Sequence, residues 1–145
     1  MKNWFEVKVK YNKTGEDGKE QKMSEVYLFD SLSFTESEAR TFEQMKEIVP
    51  EGSEIIVDAI KKSRIIEIFP YDVGEYWFRI VVEMVVLNEG AKKKTTSKET
   101  YLIIADDIEQ ALTRINKSLD SSVVPYVINS VSISNIMDVF KYEEK

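Results

Sequence analysis

The side chains able to do chemistry here are few in kind. Among 145 residues there is neither His nor Cys. That removes the Ser-His-Asp triad, the Cys nucleophile, the His/Cys zinc site, the disulfide and the c-type haem attachment. Carboxylates, Lys, Tyr, Ser and Thr remain. Asp30, Asp106 and Asp107 fall where strands run into helices, and carboxylates clustered at such ends can hold Mg²⁺ or act as acid and base. Asp107 already serves as a helix cap at the positive end of the dipole. Ser63 and Ser134 recur at equivalent positions. A strand Ser at a bend bonds backbone more often than it attacks a substrate, and there is no imidazole to activate it. The 5 Gly are scattered, with neither G-x-G-x-x-G nor G-x-x-x-x-G-K-[ST] among them, so there is no phosphate-cradling loop. No catalytic, cofactor-binding or metal-binding residue is assigned, and no cofactor is implied.

A second set of residues suits single-stranded nucleic acid. Bases stack on sheet aromatics while cations hold the phosphates. Trp4 with Lys8 and Lys10, Trp77 with Arg79, and the run Lys92, Lys93 and Lys94 are the candidate contacts. The two Trp lie out of phase with the apolar faces of their strands. The charge balance opposes this role: the net charge is −6, shared as −4 over residues 1–73 and −2 over 74–145. Phosphate binding draws on a concentrated positive field, and neither half supplies one.

The elements that must position these groups are organised by an internal repeat. Trp4-Phe5 falls on Trp77-Phe78 and Val9 on Val82, 73 positions on. Lys19, Glu25, Tyr27 and Leu28 fall on Lys93, Glu99, Tyr101 and Leu102, 74 positions on. Ala39 is set against Ala111. Ser63, Ile65, Phe69 and Tyr71 then meet Ser134, Ile136, Phe140 and Tyr142 at a spacing of 71. The repeats are 1–73 and 74–145 within a single domain.

Each half reads as ββαβ. Phe5, Val7, Val9 and Tyr11 alternate with charged residues in a half-buried strand. A polar connection containing Asp17-Gly18 leads to a second strand, about Lys22 to Asp30. Thr35 with Glu38 makes a capping box for a helix carrying Ala39, Phe42, Met45 and Val49 on its apolar stripe, ended by Pro50. Glu54 to Tyr71 is extended, with a bend near Lys61-Lys62. The second half repeats the pattern with strands at 76–87 and 95–105. Its helix is capped by Asp107 and Gln110 and striped by Ile108, Ala111, Leu112, Ile115 and Leu119. The expected fold is α+β: two ββαβ repeats related by pseudo-twofold symmetry, with antiparallel sheet covered on one face by two helices.

The final extended run, Val123 to Tyr142, has few charges between Val124 and Met137. Tyr126, Ile128, Val131 and Ile133 are therefore the candidate interaction edge, since sheet edges invite pairing with another chain. The N-terminus, MKNWFEVKVKY, has no continuous apolar region of the secretory type. The run Tyr76 to Leu87 is broken by Arg79 and Glu83 and is too short to span a bilayer. A cytoplasmic location with no membrane partner is the expectation.

The blocks N-W-F-E-V-K-V-x-Y from Asn3, S-F-T-E-S-E-A-R from Ser33, W-F at Trp77 and I-M-D-V-F-x-Y from Ile136 cover nearly the whole chain. In combination they resemble a family of small proteins of Bacteroidetes and their phages, catalogued as domain of unknown function 4494. The resemblance implies a bacterial or phage-encoded cytoplasmic accessory protein and carries over no activity. The Lys92–Lys94 connection and the longer apolar second half depart from that pattern. The expectation is a non-enzymatic binding or structural module, protein-binding or self-associating into a homo-oligomer. A single-stranded nucleic-acid-binding protein is the alternative, and a carboxylate- or metal-dependent enzyme a further one.

Overall fold

The computed structural model describes residues 3–87 and 94–141. The element order is β1 (Trp4–Thr14), β2 (Glu20–Asp30), α1 (Phe34–Met45), β3 (Ile56–Lys62), β4 (Ile65–Ile68), β5 (Tyr76–Leu87), β6 (Lys94–Ala105), α2 (Ile108–Ser118), β7 (Tyr126–Ile133) and β8 (Ile136–Phe140). The class is α+β. The extended segment closing each half resolves into two strands, broken at Ser63-Arg64 and at Ser134-Asn135, so each half runs ββαββ. The strands form two four-stranded sheets, in the orders β3-β1-β2-β8 and β4-β6-β5-β7. Three strands of each are antiparallel, and the fourth, β8 or β4, joins in parallel.

Two compact units result, and neither coincides with a half of the sequence. One comprises Met1–Ser63 and Asn135–Lys145, the other Arg64–Ser134. The last strand of each half thus completes the sheet of the other.

In the first unit the alternation of β1 sends Val7, Val9 and Tyr11 to the face covered by α1. Tyr27, Phe29, Met45 and Val49 join them in the core. Burying each aliphatic or Phe side chain of this kind stabilises the fold by about 1.5–3 kcal/mol. Phe140 of β8 lies 5.0 Å from Phe29 and 5.8 Å from Tyr27 between ring centres. The β1–β2 hairpin closes where Asp17-Gly18 predicts. Gly18 adopts φ 79°, which an L side chain would resist, and Gly15 N–H donates to Lys19 O at 2.8 Å.

The first helix differs from its sequence pattern. Its N-cap is Ser33, whose Oγ accepts from Glu36 N–H at 3.1 Å, and Glu36 Oε1 accepts in turn from Leu32 N–H at 3.3 Å. Thr35 lies inside the helix, two residues past the cap. The buried face is Ser37, Thr41 and Met45, while Ala39 and Phe42 face solvent. Two polar residues hide this face from a hydrophobicity count. Thr41 sits there because its Oγ1 donates to Ser37 O at 2.6 Å, within its own helix. The helix ends at Met45, ahead of Pro50, and turns carry the chain to Val49, which is again buried.

The second unit follows its pattern more closely. Asp107 Oδ1 accepts from Gln110 N–H at 2.7 Å, and Gln110 Oε1 accepts from Asp106 N–H at 2.7 Å. Ala111, Ile115 and Leu119 pack on Phe78, Ile80, Val82, Tyr101, Ile103 and Ala105, with Ile108 left 52% exposed.

The two halves agree in fine detail. A bulge interrupts β1–β3 between Lys8 and Val9, and β5–β7 between Val81 and Val82. The N–H of Ser63 donates to Trp4 O, and that of Ser134 to Trp77 O, both at 2.8 Å. Through the helices, positions alike in role stand 74 apart: the caps Ser33 and Asp107, the buried Ser37 and Ala111, and Arg40 and Arg114, whose guanidinium groups both reach the backbone at the end of a strand. Ala39 is exposed, whereas Ala111, against which the sequence sets it, is buried.

The matched arginines hold the parallel strands in place. Arg40 donates to Asp30 O and, at 3.0 Å, to Lys141 O just beyond β8, with its guanidinium 5.6 Å from the Phe29 ring. Arg114 donates to Ile104 O at 2.5 Å and to Val73 O at 2.6 Å beyond β4, 4.9 Å from the Tyr71 ring. Between these anchors Gly74 passes so close to β6 that a Cβ would stand 2.5 Å from Ala105 N.

Candidate functional site

The four sheet edges are β3 and β8 in one unit and β4 and β7 in the other. Open edges template pairing with further strands unless they are short, charged or bulged. β4 has 4 residues and includes Glu67; β8 has 5 and includes Asp138. β3 carries Asp58, Lys61 and Lys62. β7 has 8 residues, YVINSVSI, and lies in a stretch without charge from Ser121 to Met137. Its Pro125 precedes the strand, where its carbonyl accepts from Val85 N–H at 2.9 Å. The equivalent edges β3 and β7 share the same bulge, so charge is what distinguishes them.

The four edge residues named from sequence divide. Tyr126, Ile128 and Val131 stand opposite Met84, Val82 and Ile80 and pack on the core. Tyr126 OH also donates to Asn116 Oδ1 at 3.0 Å. These three side chains anchor β7 to its own unit. Ile133 is 57% exposed, and so, at 56%, is Val127, which alternates with Tyr126 and Ile128; the extra residue at the bulge, Asn129, is what lets Ile128 and Val131, three apart, stand opposite Val82 and Ile80, two apart. Ser130 and Ser132 are exposed beside them.

The nucleic-acid candidates are placed differently. Trp4 is 3% exposed, sharing a buried patch with Glu6 and Leu28 on the face away from α1. It offers no open ring for stacking. The other aromatics of β1 and β2, namely Phe5, Tyr11, Tyr27 and Phe29, are buried as well. Lys8 and Lys10 are exposed, and Lys10 Nζ lies 3.4 Å from Asp58. Trp77 and Arg79 are half-buried in the second unit. Lys92 and Lys93 lie outside the described residues, and Lys94 is described only as the β6 residue in register with Leu87.

Two of the three carboxylates hold backbone: Asp106 Oδ1 accepts from Glu75 N–H at 3.1 Å and Asp107 Oδ1 caps α2, whereas at Asp30 it is the main-chain carbonyl that receives Arg40. No group of three or more metal-ligating side chains occurs among the described residues. The perturbed groups are phenols. Burial, then the hydrogen bond and charge of Glu25, push Tyr11 up to about 12. Burial followed by the Glu25 charge raises Tyr27, and burial followed by the Glu99 hydrogen bond raises Tyr101. A hollow of about 360 Å³ beside α1, lined by Phe34, Glu38 and Asp58 among others, lies open at the surface.

Fold and edge together define an α+β protein of two four-stranded sheets, one of which has an uncharged edge strand of 8 residues. The chain matches the family model described as Domain of unknown function (DUF4494) over residues 3–142, and it belongs to that family. No curated protein and no solved structure matches it. No helix among the described residues is long and apolar enough to cross a membrane.

Proposed function

We propose that this chain is a non-enzymatic protein-binding module that takes up a partner strand along the outer edge of β7, serving as a cytoplasmic accessory protein of bacterial or phage origin. The observation that carries this reading is the contrast between β7 and β3, equivalent edges of which only β3 is charged. Strand addition draws affinity from main-chain hydrogen bonds and specificity from alternate side chains. Here Val127 and Ile133 supply exposed apolar contacts at the two ends of the strand, and Ser130 and Ser132 lie between them.

A synthetic peptide copying residues 125–134, titrated into the isotope-labelled protein, tests the edge. Shifts concentrated on β7 amides, weakened in a Val127→Lys/Ser132→Lys double variant, are expected. Shifts spread over β3, or no shifts at millimolar peptide in a sample that light scattering shows to be monomeric, overturn the reading. An oligonucleotide titration that instead moved Lys8 and Lys10 amides in a salt-dependent way would favour nucleic acid.

A further inference from the structure

The strand that completes β7 is, we infer, the β7 of a second copy of this chain. The inference rests on the strand-addition reading above and names its occupant. The chain carries a net charge of −6, so two copies repel each other over most of their surfaces. That repulsion is weakest where they meet along a segment with no charge, and Ser121 to Met137 is such a segment. The same lack of charge gives a charged foreign partner nothing to select.

A strand paired antiparallel with its own copy is an isologous contact that closes on itself. It produces a dimer, with no open filament. β7 already runs antiparallel to its inner neighbour β5. Pairing it with its copy therefore joins two four-stranded sheets into one continuous sheet with the β4 strands at its outer edges. Those edges are short and carry Glu67, so growth stops there.

Size-exclusion chromatography with light scattering on the full chain, from micromolar to several hundred micromolar, reads the association directly. A dimer is expected, with intermolecular NOEs between β7 strands in a mixed-label sample. Val127→Lys/Ser132→Lys places like charges across the junction and should weaken the dimer by about tenfold or more. Ser24→Lys, on an exposed β2 position of the other unit, changes the net charge without touching β7 and should leave the dimer intact. Circular dichroism reports whether each variant is folded, and the NOEs test the wild type without any variant. A strict monomer that still binds the 125–134 peptide overturns the second copy and leaves strand addition standing. A monomer that ignores the peptide overturns both. A dimer indifferent to the β7 charges, or with NOEs elsewhere, overturns the inference.

Discussion

Ser31 and Ser37 are buried at 1% and 0% exposure, and neither hydroxyl has a hydrogen-bond partner among the described residues. The matching positions of the second half are Ala105 and Ala111, which pack in the apolar core. An unpaired buried hydroxyl costs about 1–3 kcal/mol. Replacing either by Ala, the residue found 74 positions on, should therefore raise unfolding free energy by about 1–3 kcal/mol in urea titrations; a loss of stability would show that the hydroxyl is satisfied. The phenols make a separate prediction about alkaline pH. With its value in the folded state raised to about 12 from the ordinary 10.0, Tyr11 favours the folded chain while protonated. That contribution is complete below pH 10 and is lost as pH climbs toward 12. Tyr27 and Tyr101 are shifted in the same direction. Denaturation midpoints should fall steeply above pH 10, and Tyr11→Phe should fall less steeply. Identical slopes would remove Tyr11 as a source of the decline.

At the scale of elements, Arg40 and Arg114 show how a helix can secure a strand that arrives from elsewhere in the chain. Hydrogen bonds from a charged donor are worth about 1.5–3 kcal/mol. Arg114→Met keeps most of the stem, loses the bonds to Ile104 O and Val73 O, and should destabilise the protein by about 1–3 kcal/mol. Hydrogen exchange should locate that loss in β4 and β6; uniform loosening of both units would count against the role. The arginines also mark what the residues alone can tell. The hairpins were legible, because alternation and Asp17-Gly18 are local signals, and so was α2, whose buried face is apolar throughout. The face and cap of α1 were not, because Ser37 and Thr41 occupy core positions and Ser33 caps two residues before Thr35. The edge was half legible: lack of charge singles out β7, but only the bulge at Asn129 explains how Ile128 and Val131, three residues apart, both turn inward.

For the whole molecule, the exchange of β4 and β8 means that neither half of the chain contains a complete sheet. Periodicity has no means of announcing this, since a strand looks the same whichever sheet it joins. Fragments 1–73 and 74–145 should each give poorly dispersed amide spectra alone and regain native spectra when mixed in equal amounts. A native spectrum from either fragment by itself would show that the crossed strand is dispensable. Chain path also dictates how the protein bears load. Asn3 leads into β1 and Lys141 follows β8, in one sheet, while Arg64–Ser134 forms an insert between Ser63 and Asn135. Tension applied at the two ends runs through β1, β2 and β8, and the inserted unit carries none of it until that sheet has torn. Stretched in an optical trap, the molecule should rip in a fixed order, with the discontinuous unit acting as a mechanical fuse for the continuous one.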